Sequence, residues 1–184
     1  MENQNCKLEK YQAQELATIT SNQFLEGFNL PAVNRICRKV NDFPEIFRAN
    51  LPTISAIKKQ YGYDFIQAYI EGWIVNLREF INVGKKMTDM QCNETAMLIV
   101  DEYFNLTIAD INLIFKNAKL GKYGAMYDRL DGQMILSWFE KHFYERCSAA
   151  ANMSVREAES FSGAGRVESF DSVASRLNSK FKFK

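Results

Sequence analysis

The chain has 184 residues, 47% hydrophobic, 13% aromatic and 24% charged, which is enough apolar material for one packed domain with extra segments and too little for two full domains. Its 23 Lys and Arg against 22 Asp and Glu leave a net charge of +1. That balance excludes a uniformly basic nucleic-acid module and an acidic DNA mimic, so any nucleic-acid contact has to come from a local patch.

Along the chain, Leu8–Ile19 reads as a weakly amphipathic helix within a peripheral N-terminal segment, 1–30. Val33, Ile36, Cys37 and Val40 recur at helical spacing behind Pro31, whose missing N–H suits a first turn, so the packed body is expected to begin at residue 31. Pro44 and Pro52 punctuate the chain before a short helix, Ile54–Tyr61, that Gly62 terminates. The strongest periodicity follows over 63–83, where Phe65, Ile66, Tyr69, Ile70, Trp73, Ile74, Leu77 and Ile81 share one broad face, and predicts the central helix. Thr88 and Gln91 have capping-box spacing and open a helix to about Phe104. Thr107–Asp110 starts the next, with Ile108, Ile111, Ile114, Phe115 and Ala118 as its apolar stripe and Gly121 as its stop. Met134, Ile135, Trp138, Phe139, His142 and Phe143 line a last helix over 131–147.

No segment alternates as a strand, so the expected fold is all-α, a bundle of about five to seven helices over 31–147. From 148 to 184 the composition turns to Ser, Ala, Gly, Glu and Arg with scattered Phe, which predicts a flexible polar tail. Within it, Glu159-Ser160-Phe161-Ser162 and Glu168-Ser169-Phe170-Asp171 echo each other as docking elements, and 171–177 is a candidate for a helix formed on binding. The terminal alternation Lys180-Phe181-Lys182-Phe183-Lys184 suits strand addition to a partner or stacking on single-stranded nucleic acid, with a solubilising end as the competing reading.

Cys6, Cys37, Cys92 and Cys147 show no Cys-x-x-Cys spacing, which indicates reduced thiols instead of a zinc site or a disulfide framework. The first residues, Met1–Asn5, lack a basic-then-apolar leader, and no apolar run approaches a membrane span, so the expected setting is cytoplasmic and free of membrane contact.

The segment most suggestive of binding interleaves Lys116, Lys119, Lys122, Tyr123, Tyr127 and Arg129 with Gly121 and Gly124 at a helix end. Lysines neutralise phosphates, glycines let backbone approach closely, and tyrosines stack on unpaired bases. The competing reading is structural: lysines complement the helix dipole, Gly121 caps, and the tyrosines pack inward. A Walker loop is excluded by spacing and by the preceding helix. The single histidine, His142, lies on an apolar face and reads as a structural imidazole. Among Asp101, Glu102, Asp110, Asp128 and Asp131, two stand at helix starts where acids are favoured, so no metal, cofactor or catalytic residue is expected.

Asn82-Val83-Gly84-Lys85-Lys86-Met87-Thr88 through Gln91, then Asp110, Lys119-x-Gly121-Lys122-Tyr123-Gly124, Tyr127-x-Arg129-x-Asp131 and 138–146 together resemble an uncharacterised helical family of Bacteroidetes and their phages, over roughly 52–146. The resemblance implies a phage or mobile-element setting in a bacterial host and transfers no activity. The resulting expectation is a non-enzymatic accessory protein that binds nucleic acid or a replication protein, helicase-loader-like by analogy only. The alternative is a virion or assembly component, a homo-oligomer packing through its helices and tail.

Overall fold

The computed structural model describes residues 19–124 and 129–164. These form eight helices: α1 (Ser21–Phe28), α2 (Leu30–Ile36), α3 (Phe43–Ala49), α4 (Ile54–Tyr61), α5 (Tyr63–Phe80), α6 (Asp89–Glu102), α7 (Ile108–Lys119) and α8 (Gly132–Ala164). Among the described residues the only strand-like pairings are two isolated bridges, so the fold is all-α, with more helices than the sequence suggests. Described residues up to Arg146 belong to one unit and those from Cys147 onward to a second, a boundary that falls within α8. None of the described helices is long and apolar enough to cross a membrane.

Short polar side chains write most of the helix starts. Thr20 and Gln23, Thr88 and Gln91, and Thr107 and Asp110 each form a reciprocal capping box, while Asn29, Asp42 and Thr53 cap α2, α3 and α4. Each such cap is worth about 1 kcal/mol. Pro31 and Pro44 occupy first turns, where a missing N–H costs nothing. Pro44 therefore opens α3 instead of interrupting the chain. Asn50 in the left-handed region (φ 44°) ends α3, and Gly62 at φ 93° separates α4 from α5.

The segment 1–30 is not peripheral throughout. Phe24 and Phe28, one turn apart on α1, are completely buried, and the Phe24 ring packs against Tyr61, Phe65 and Tyr69. The capping box organises α1, and the two rings tie it to the core. Of the helix expected over Leu8–Ile19, only Ile19 is described, and it is not helical.

α5 packs against α4, α6 and α7, as a central helix does, and α7 is buried more completely still. α5 buries six of its 18 residues along one face, whereas α7 buries nine of 12, including Asp110 and Asn112. α7 is thus the enclosed helix, reached by α2, α3 and α5. Its start is locked to that of α4: Ile54 N–H donates to the Leu106 carbonyl at 2.9 Å, and Ile108 N–H donates to the Pro52 carbonyl at 3.1 Å. The Asn112 amide donates to Asn34 Oδ1 at 2.7 Å, which satisfies a polar group that burial would otherwise penalise.

At the other end of the chain, residues 148–164 are helical, continuing α8 past the end expected at 147. The Ala, Met, Glu and Arg of this stretch are good helix formers, so a composition too polar for a core still supports a helix. The part of the expected tail from 165 to 184 lies outside the described residues.

Candidate nucleic-acid interface

Two groups of charged side chains stand at opposite ends of α7, one sealed and one open. The sealed group begins at Asp110, the third residue of α7, which is fully buried. Its Oδ2 accepts from the Thr107 backbone N–H at 2.8 Å and from the Thr107 hydroxyl at 2.7 Å, completing the cap. Its Oδ1 lies 2.8 Å from His142 Nε2 and 3.2 Å from Arg146 Nε, both on α8. The Arg146 N–H is not aligned for a hydrogen bond, so that contact is an ion pair. Burial alone would push the Asp110 carboxyl upward; the His142 contact, the Thr107 N–H and the Arg146 charge overcome this and hold it below the usual carboxylate range.

Phe43 and Phe47 on α3 close this cluster, at 5.1 Å from the His142 ring and 5.1 Å from the Arg146 guanidinium. Burial pushes the nearby Cys37 thiol up to about 12, partly offset by Lys116 and reinforced by Asp110. Such a thiol is protonated at neutral pH and enclosed, so it does not convert the Asp–His pair into a nucleophilic triad. The cluster fastens α7 to α8. The structural reading of His142 fits this geometry, with a partner 32 positions away that helical spacing could not reveal.

The open group sits where α7 ends. Gly121 at φ 72° turns the chain, with its N–H donating to the Ala118 carbonyl and the Lys122 N–H donating to the Asn117 carbonyl, both at 3.0 Å. This is a Schellman cap, so Gly121 serves as the stop. Lys116 points back into the fold: its ammonium donates to the Val40 carbonyl at 3.2 Å and to Asn41 Oδ1 at 2.8 Å. Tyr123 is half-buried and lies flat on Trp138, with centroids 5.2 Å apart at 8°. Burial raises its hydroxyl to about 12 despite the neighbouring Asn117. Lys116 and Tyr123 are therefore engaged inside the protein, as the structural reading of this segment requires. Tyr127 lies outside the described residues.

What stays open is narrower and partly unforeseen. Lys122 is exposed. Lys119 donates to Asn76 Oδ1 at 2.5 Å, and its ammonium stands 5.3 Å from the centroid of the Phe80 ring at the end of α5; partial burial lowers its pKa. Phe80 itself is 60% exposed. Arg129, on the far side of the turn, is exposed and pairs with Asp131 at 3.2 Å.

Lys85 and Lys86 belong to the resemblance pattern but are not among the expected binding residues. A parallel bridge joins Lys85 to Arg129, and Leu130 N–H donates to the Lys85 carbonyl at 3.0 Å, which brings the loop after α5 beside the loop after α7. That loop is anchored by buried Ile81 and Met87 and by Arg78, which donates to the Met87 carbonyl at 3.3 Å and pairs with Asp89 at 2.6 Å. Both Lys85 and Lys86 are exposed. The signal available was the doublet after Gly84, which reads in isolation as an ordinary linker.

Among the expected tail elements, Phe161 falls within the backbone of α8, and Phe170, Lys180, Phe181, Lys182 and Phe183 lie outside the described residues. No group of acidic, His or Cys side chains among the described residues is arranged to hold a metal ion. No protein-family model, curated protein or solved structure shows significant similarity to this chain.

Proposed function

We propose that this protein is a binding accessory that engages nucleic acid through the corner built from the loops after α5 and α7, in the phage or mobile-element setting implied by its sequence resemblance. The observation that carries the reading is the Lys85–Arg129 bridge. It sets Lys85, with Lys86 next to it in the chain, beside Arg129, and Lys122 is exposed just past the α7 cap, in a chain whose net charge is only +1. Concentrating cations this way gives a near-neutral protein a local phosphate-binding surface. Arg129 is half-compensated by Asp131, so the three exposed lysines carry most of the attraction. Fluorescence anisotropy with a labelled oligonucleotide at low salt tests the proposal. Binding that weakens steeply as salt rises supports it, and absence of binding to any nucleic acid at low salt removes it.

A second reading, assembly with other protein chains, is favoured by a separate surface. Leu98, Tyr103 and Leu136 line a shallow groove between α6 and α8, flanked by Glu102 and Glu140. Neither carboxylate has an ion-pair partner among the described residues. An apolar floor with acidic flanks complements a peptide of alternating Lys and Phe, the pattern at 180–184. Light scattering behind a sizing column tests this: a strict monomer at all concentrations removes self-assembly.

A further inference from the structure

Resting on the nucleic-acid reading of the corner, we infer that the ligand is single-stranded and that Phe80 is the platform on which one of its bases stacks.

Tyr123, the aromatic that the sequence offers for stacking, lies flat on Trp138 and is half-buried. Phe80, the last residue of α5, is an exposed ring, as Phe104 and Tyr144 are, and is the one of the three that stands beside Lys119. Nothing in the packing of α5 requires an aromatic there, since that helix buries Ile66, Tyr69, Ile70, Trp73, Ile74 and Leu77 and leaves Phe80 60% exposed.

One cation is placed against the ring. Lys119 Nζ, steadied by Asn76 one turn before Phe80, stands 5.3 Å from the ring centroid. The chain then leaves α5 through the anchored loop that presents Lys85 and Lys86, and Lys122 follows Lys119 across the α7 cap. An exposed ring beside a cation, with further exposed lysines on the segments that follow it and Lys119 in the chain, offers the two chemistries by which proteins hold unpaired strands without reading their sequence.

A duplex does not use this arrangement. Its bases already stack on one another and present only edges in the grooves, so a side-chain ring gains a base face only where the strand is open. The lysines are indifferent to strandedness; the ring is what discriminates.

The test uses the full chain and two labelled probes of equal length and salt conditions, a mixed-sequence single strand and the corresponding duplex. Wild type is expected to bind the single strand more tightly. Phe80→Ala is expected to weaken single-strand binding by roughly 5- to 100-fold while leaving duplex binding unchanged, and Phe80→Trp is expected to retain or strengthen it. A 2-aminopurine placed in the single strand is expected to change its fluorescence on binding wild type and not on binding Phe80→Ala. Circular dichroism of Phe80→Ala shows whether the helices persist, which an exposed site predicts. Equal affinity for both probes, with no effect of Phe80→Ala, overturns this inference and leaves the corner as a phosphate-binding surface. Absence of binding to either probe overturns the corner itself.

Discussion

α7 carries charge at both ends and uses it in opposite ways. At its start, Asp110 is enclosed with His142 and Arg146, and every charge there has a partner across a helix boundary. At its end, Lys116 and Lys119 still reach for neighbours, but Lys122, Lys85 and Lys86 are exposed. The first end joins elements, because a buried charge is tolerable only where its partners are fixed. The second presents cations to solvent, where a phosphate can replace water. The contrast teaches that a charged residue's role follows from what surrounds it more than from which charge it bears.

The comparison breaks most visibly at the sealed end. Asp110→Ala leaves the buried imidazole and the partly buried guanidinium without their carboxylate and removes half of the α7 capping box; it is expected to cost about 3–5 kcal/mol in urea unfolding. A loss under about 1 kcal/mol would mean that the cluster does not fasten α7. The same residue sets an acid limit. Its folded pKa lies below its ordinary value, so the stability it contributes is complete above about pH 4 and is lost as pH falls through the lower folded value. Asp110→Asn is expected to flatten that part of the stability profile, and an unchanged acid limb would contradict the assignment.

Smaller effects sharpen the division within the open end. Gly121→Ala forces a Cβ into a left-handed conformation at φ 72° and is expected to cost roughly 1–2 kcal/mol. Lys116→Ala removes two hydrogen bonds from a partly buried ammonium and is expected to cost about 1 kcal/mol in thermal or urea unfolding. Lys122→Ala, at an exposed site, is expected to change stability by no more than about 0.5 kcal/mol. Equal costs for Lys116→Ala and Lys122→Ala would erase the distinction between the inward and outward lysines.

Local signals in the sequence located much of this fold. The spacing of Ile54–Tyr61, the broad stripe beginning at Tyr63 and the caps at Thr88 and Thr107 place α4 to α7 within a few residues of where they lie. α1 and α3 escaped because each is short, with only two apolar rings to mark the inner face of α1 and with Pro44, which reads as a break, in the first turn of α3. The near-complete burial of α7 was not legible because Asp110 and Asn112 interrupt its apolar pattern, and tertiary partners on α8 and α2 make their burial tolerable. The basic segment was legible as a segment, but which lysines face outward was not. Lys116 turns toward Val40, and Lys85 arrives beside Arg129, through long-range pairing that no local pattern encodes.

The salt dependence of binding tests the open corner most directly. For a single strand the logarithm of the association constant falls linearly with the logarithm of salt concentration, by about 0.7 for each phosphate neutralised. Wild type and a variant with Lys85, Lys86 and Lys122 all changed to Ala are compared over the same salt series, with unfolding curves recorded alongside. The account predicts unaltered folding, weaker binding and a slope shallower by about two in the triple variant, one phosphate contact per lysine. An unchanged slope and affinity in a folded triple variant would contradict it, because the exposed lysines of the loops after α5 and α7 would then not be those that meet the phosphates.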